Sequence, residues 1–293
     1  MSLGSSELIL NPDGSIYHLN LLPDDIADII ITVGDPDRVH EVSKHFDSVE
    51  LEKKKREFTT HTGILSGKRI TVISTGIGTD NIDIVLNELD ALANIDFVSR
   101  TINEKKRQLS FIRIGTSGSI QPNLPVDSFL LSSSGVGFDG LLHFYDSGHA
   151  RNIDLESRLN DYLGWKEQKI YAYATDFDRQ LAGKFTSNRI RLGITVTNSG
   201  FYGPQGRNLR IASALPDFNA RLAGFSYQNH QITNLEMETA GIYGLAKLHG
   251  HRAISLSAIL ANRATGEFSK NGQKTINDLI QFTLEKIISS DFD

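Results

Sequence analysis

The 293-residue chain contains no cysteine. This absence excludes a disulfide framework, a thiolate metal site, an iron–sulfur cluster and a cysteine nucleophile. Long apolar runs are missing too: uninterrupted stretches reach only a few residues, against the ~20 a membrane-spanning helix needs. The start, MSLGSSELIL, has neither the basic region nor the extended apolar segment of a secretory signal. Basic excess is absent as well. Lys+Arg is 30 against Asp+Glu 35, a net charge of −5, which argues against a broad nucleic-acid-binding face but leaves room for a local basic pocket. Common nucleotide and hydrolase signatures fail: Gly76-Ile77-Gly78-Thr79-Asp80-Asn81 ends in Asn rather than Gly, and GILSGK (63–68) is one residue too short for a P-loop. H-E-x-x-H and G-x-S-x-G do not occur, and the nine histidines do not fall at metal-ligand spacing. The composition points to a soluble, cytoplasmic globular protein. A chain this long can bury roughly three quarters of its unfolded surface.

What is present is an alternation of short β-branched runs and longer helical stripes. Runs at 29–33, 69–75, 111–116, 192–198 and 253–260 read as buried strands, most of them ending in Gly, Ser or Asn. Stripes in 79–93 (Ile82, Val85, Leu86, Leu89), 236–249 and 273–290 read as helices, with Thr79 or Asp80 capping the first. The pattern predicts an α/β fold: a single domain over 16–293 with a central mixed, largely parallel twisted sheet flanked by helices, preceded by a flexible extension over 1–15. The polar stretch 94–110 reads as helix end and surface loop. Open α/β sheets take ligands beyond the carboxyl ends of their strands, so the strand ends are candidate site walls.

Three groups of residues stand out there. Arg113 lies inside an apolar strand, FIRIGT, and a buried guanidinium needs an anion. That anion is either an internal carboxylate or a ligand held jointly by Gly34, Arg38, Arg113 and the Thr116 hydroxyl, since guanidinium forks and helix-start amides suit phosphate. Arg38 alone also reads as a solvated helix charge. Glu236 and Glu238 are taken to open a helix, where carboxylates complement the dipole. Their i,i+2 spacing then points them about 200° apart, so only one faces the strand ends, where it can accept hydrogen bonds from a sugar diol. Phe201-Tyr202-Gly203-Pro204-Gln205-Gly206-Arg207 is either a surface loop with an anchoring aromatic or a base-reading loop, with Phe201 stacking and Gln205 and Arg207 matching a planar imide.

Seven stretches in order, GDPDR (34–38), REFTT (56–60), STGIG (74–78), RIGTSG (113–118), FYGPQGR (201–207), EMET (236–239) and NR (262–263), resemble the nucleoside phosphorylase-I superfamily, and within it the uridine-directed members. The resemblance covers most of the chain from His18 onward. It implies a phosphate site of Gly34, Arg38, Arg113 and Thr116, with Arg56 contributed by a partner chain. It implies ribose contacts from Met237, Glu238 and the partner's copy of His18, and base contacts from Phe201, Gln205, Arg207 and Arg263. The catalytic group would be Arg207, Gln205 and Glu238. Purine-directed relatives usually carry a Ser-Asp pair where this chain has Asn262-Arg263, and an arginine cannot serve as the acid that protonates a purine.

The implied reaction is reversible phosphorolysis of uridine to uracil and α-ribose 1-phosphate by a homo-oligomer with sites shared across a dimer interface, without organic cofactor or catalytic metal. Inorganic phosphate is the co-substrate, and a structural potassium ion is expected at most, near Glu57 and Ile77. The alternatives are a purine nucleoside phosphorylase or nucleosidase on the same fold, or a non-catalytic nucleoside-binding subunit. Three features depart from the compact bacterial members: the longer 94–110 segment, the Gly203-Pro204 order, and Asn81 in place of Ser.

Overall fold

The computed structural model describes residues 2–292; Met1 and Asp293, at the outer limits of the expected extension and domain, lie outside them. In chain order the elements are β1 (Ile29–Val33), α1 (Pro36–Ser43), β2 (Ser48–Lys55), β3 (Phe58–Leu65), β4 (Lys68–Ser74), α2 (Thr79–Asn94), β5 (Ile95–Asp96), β6 (Thr101–Ile102), β7 (Ser110–Ser119) and β8 (Phe129–Gly137). There follow α3 (Ile153–Leu163), β9 (Tyr173–Asp176), α4 (Arg179–Phe185), β10 (Ile190–Thr197), α5 (Phe218–Ala223), β11 (Ser226–Tyr227), β12 (His230–Glu236), α6 (Thr239–Leu248), β13 (Arg252–Asn262), β14 (Glu267–Phe268) and α7 (Gly272–Ser289). No helix among the described residues is long and apolar enough to cross a membrane.

One large mixed sheet organises the molecule, in the order β11-β12-β10-β8-β13-β7-β1-β4-β3-β2. Parallel pairings join β4, β1, β7 and β13, and join β8, β10 and β12. Antiparallel pairing joins these two groups and forms the β2–β3–β4 flank. The sheet is not fully open. Besides β10, β12 pairs with the end of β7, Asn234 opposite Ser119 and Leu235 opposite Gly118, so β7, β13, β8, β10 and β12 close into a hydrogen-bonded ring.

Side-chain alternation sorts the strands' residues onto two helical layers. Ile30, Ile73, Phe111 and Ala253 pack with Ile82, Val85, Leu86 and Leu89 of α2 and Ile242 and Leu245 of α6. Ile31, Ile112, Ile114 and Leu256 turn the other way, onto α1, α4 and α7. A third cluster joins Val136, Val196 and Leu235 to α3 and α5 through Trp165 and Phe218. The five expected strands and three expected helices are all present. The sequence reading missed the β2–β3 hairpin, β8, β9 and β12, whose Ser, Thr and charged residues interrupt the apolar runs.

Three expectations are corrected. The segment 1–15 is packed where the structure describes it: Leu8 is buried in the α2-side core, with Leu3 and Leu10 half-buried against it. The β5–β6 hairpin, read as surface loop, presents Arg100, whose Nε donates to the Leu3 carbonyl and whose Nη2 donates to the Gly4 carbonyl, each at 2.9 Å. Helix α2 is also not capped by Thr79 or Asp80. Its N-cap is Gly78 at φ 98°, with no side-chain cap.

Candidate active site

At the carboxyl end of β1 the chain turns sharply into α1. Asp35 caps that helix, its side chain accepting from the Asp37 amide at 3.0 Å, and Pro36 occupies the first turn. This start places Arg38 over β7, where Nη1 donates to the Ile114 carbonyl at 3.3 Å. Half-buried Gly34 packs on the next strand end, a Cβ there falling 3.5 Å from the Gly76 carbonyl oxygen.

Arg113 alternates with Ile112 and Ile114, so its guanidinium crosses to the α2–α6 side of the sheet. There it meets both acidic residues: Nη2 lies 2.5 Å from Glu238 Oε2 and 3.2 Å from Glu236 Oε2. The internal-carboxylate reading of Arg113 therefore holds. Its second nitrogen, Nη1, is buried without a protein hydrogen-bond partner. Gly115 makes room for it, since a Cβ at that position would sit 1.7 Å from Nη1. Burial works against the Arg113 charge, but the two carboxylates outweigh it and raise the pKa. Arg38 moves the other way, its pKa lowered by burial and by the nearby charge of Arg113. Half-buried Thr116 follows at the end of β7.

The divergence expected of Glu236 and Glu238 is overturned. The two do not share a helix: Glu236 is the last residue of β12 and Glu238 is the N-cap of α6. The strand-to-helix turn brings both carboxylates onto Arg113. Glu236 has a structural task, accepting from the amides of Glu238 and Thr239 at 2.9 Å and from Thr197 Oγ1 at 2.6 Å. Glu238 accepts from the Gly78 amide at 2.9 Å. Burial raises its pKa, and the neighbouring Glu236 adds to this against the pull of Arg113. Met237, between them, is half-buried.

The loop after β10 forms the opposite wall. Arg207 Nη1 donates to Gln205 Oε1 and to the Phe201 carbonyl, each at 2.6 Å, and its guanidinium carbon stands 3.8 Å from the Phe201 ring centroid. Arg263, from the end of β13, donates to the Gln205 carbonyl and, at 3.2 Å, to the Gly206 carbonyl. Burial lowers the Arg207 pKa, and the adjacent Arg263 charge adds to this. Phe201, Gln205, Arg207 and Arg263 thus form one cluster.

Arg56 and His18 do not join either wall within the chain. They flank Tyr17: the Arg56 guanidinium carbon is 5.9 Å from its ring and the His18 ring meets it edge-on at 4.7 Å. His18 is fixed by Glu88, with Nδ1 2.6 Å from Oε1. Glu57 and Asn81 both approach Gly76, and Ile77 beside it is exposed. Among the described residues, no three His, Asp or Glu side chains are grouped to hold a metal ion.

Three positions beside the site residues escaped the sequence reading. Gly78 was legible in part, as the second glycine of the 76–78 turn. Thr197 orders Glu236 and donates no recognisable signature. Asn198, buried at the end of β10, has neither amide atom hydrogen-bonded.

Residues 28–289 match the Phosphorylase superfamily. The chain is 30% identical to uridine phosphorylase of Thermococcus kodakarensis over 92% of its length and 86% of that protein's. It is 28% identical to uridine phosphorylase of Haemophilus influenzae, over 94% of each chain. A DeoD-type purine nucleoside phosphorylase of Roseobacter denitrificans is 25% identical over 92% of this chain and 97% of that one. Among solved structures, a Trypanosoma brucei nucleoside phosphorylase described as showing uridine phosphorylase activity superposes with a TM-score of 0.85. It is 27% identical and covers 97% of this chain and 100% of its own.

Proposed function

The chain belongs to the phosphorylase superfamily, and from that membership we propose that it is a pentosyltransferase that cleaves uridine reversibly with phosphate, giving uracil and α-ribose 1-phosphate. The observation that carries the uridine reading is the pairing of Arg207 and Arg263 around Gln205. Uracil leaves with the electron pair of its glycosidic bond. Two fixed guanidiniums and an amide suit that developing anion, whereas a purine leaving group calls for an acid, which arginine does not provide. Arg263 acts through the loop, holding Gln205 and Gly206 by their carbonyls.

The attacking group is phosphate. One of its oxygens bonds C1′ as the C1′–N1 bond breaks, with inversion and through an oxocarbenium-like transition state. The free Nη1 of Arg113, with Arg38 beside it, supplies positive charge for the anion, and Gly34 and Thr116 border the same strand ends. Glu238 accepts the ribose hydroxyls while Gly78 and Arg113 hold it in place, and Met237 packs on the sugar. Fixing two substrates in one site supplies much of the acceleration. The reaction balances without an organic cofactor or catalytic metal.

The functional unit in this reading is a homo-oligomer, at least a dimer. Arg56 of one chain completes the phosphate site of the other, and His18 reaches its ribose. The exposed position of Arg56 beside Tyr17, with half-buried His18 on the same ring, supports that assignment, as do exposed Glu57 and Ile77, where a structural potassium ion would be shared. A cytoplasmic location belongs to the same proposal.

Uracil release from uridine is expected to depend on added phosphate and to yield ribose 1-phosphate in equal amount. Equal release without phosphate would assign hydrolysis instead. Faster turnover of inosine or adenosine than of uridine would overturn the base assignment.

A further inference from the structure

Asn198 is almost fully buried, and both its Oδ1 and its Nδ2 lack any hydrogen-bond partner in the chain. Burying an amide unpaired costs on the order of 1–3 kcal/mol per group, so such a side chain calls for a partner. Its backbone is fixed. The Asn198 amide donates to the Glu236 carbonyl at 2.9 Å, continuing the β10–β12 ladder one residue past the strand. Alternation along β10 then determines the side of the sheet. Thr197 faces α6, where its hydroxyl reaches Glu236, and Asn198 falls on the face of Val196.

On that face the neighbouring position of β8 is Phe138, whose amide donates to the Thr197 carbonyl. Phe138 packs against Trp165 and Phe218 at 5.7 and 6.1 Å between ring centroids. Phe218 in turn closes on the loop, with its Cβ 3.4 Å from where a Cβ on Gly206 would stand. Asn198 therefore sits three residues before Phe201, at the root of the loop that carries Gln205 and Arg207. The loop's polar side chains satisfy one another, Arg207 with Gln205 and Arg263 with the loop carbonyls, and leave Asn198 unclaimed.

We propose that Asn198 is a specificity-determining residue that hydrogen-bonds the edge of the bound nucleobase. A carboxamide offers one donor and one acceptor side by side, and an imide edge, with its N–H beside a carbonyl, is the complementary pattern. This inference rests on the uridine reading above and adds a contact that Gln205 and Arg207 do not make.

The test uses the full chain and two free ligands, uracil and ribose 1-phosphate, each titrated calorimetrically into wild type, Asn198→Ala and the near-isosteric Asn198→Asp. Both variants are expected to weaken uracil binding about tenfold while leaving ribose 1-phosphate within about twofold. The ratio of the two affinities is insensitive to a fraction of unfolded protein, and the Asp variant preserves shape where Ala leaves a cavity. Unchanged uracil affinity in both variants would reject the contact. Equal weakening of both ligands would make Asn198 a support of the loop and also overturn the proposal. If wild type binds ribose 1-phosphate but not uracil, the uridine reading fails instead.

Discussion

Gly115 illustrates how a missing side chain shapes chemistry. It lies two positions after Arg113 on the same face of β7, in the space that Nη1 needs. Gly115→Ala is expected to displace the guanidinium and raise the KM for phosphate far more than that for uridine, with turnover falling on the order of a hundredfold for a misplaced contact. A wild-type phosphate KM in steady-state assays would remove Gly115 and the free nitrogen from the phosphate site. At this scale the sequence was partly legible. An arginine in FIRIGT announces a buried ion pair, and the aromatic, amide and guanidinium of 201–207 announce recognition of a planar ligand. The convergence of Glu236 and Glu238 was not legible, because it depends on where β12 ends and α6 begins, and EMET reads as continuous helix. Asn198 gave no signal either: an unpaired amide is a property of its surroundings.

Helix α2 shows how an element is tied to the site it serves. Its first residue follows Gly78, whose amide holds Glu238, and its far end is clasped by two histidines. Asp90 Oδ2 lies 3.3 Å from His249 Nδ1, and Oδ1 lies 3.2 Å from His251 Nε2. Burial alone would raise the Asp90 pKa, but the close approach of His249 and His251 and the hydrogen bond from Asn94 Nδ2 together hold it well below the usual aspartate range. A carboxylate whose folded pKa is depressed stabilises the fold at pH values above its unfolded pKa and loses that contribution as pH falls toward the folded one. Asp90→Asn is therefore expected to lower stability at neutral pH by about 1–2 kcal/mol, a figure discounted for partial exposure. The gap from wild type should narrow on acidification below the ordinary aspartate range. Urea denaturation at several pH values measures it, and a gap independent of pH would show that packing, not charge, is at stake. The helix was legible from its apolar stripe, but its clasp was not, since Asp90 and the histidines are about 160 residues apart.

At the scale of the whole molecule the two walls lack Arg56 and His18, which flank Tyr17, Arg56 exposed and His18 half-buried. If each site borrows them from a neighbour, two defective proteins should complement. Mixing Arg56→Ala with Arg207→Ala, after dissociation and reassociation, is expected to restore up to about a quarter of wild-type activity: half the dimers are mixed, and each has one intact site. Activity no greater than the sum of the separate variants would place Arg56 outside the neighbouring site. The fold class was legible because strands ending in small residues alternate with amphipathic helices. The ring closure was not, because two residue pairs between β12 and β7 leave no periodic trace. That closure has an entropic consequence. Each strand of the circuit is bonded to two others, so no wall of the ring can be drawn aside without breaking two ladders. The strand-end floor is therefore set before substrate arrives, and little configurational freedom remains there to be lost on binding. Such freedom is left to the covering segment 199–217, where Leu209 and Ile211 stand exposed, and the entropy cost of capture falls chiefly on that segment.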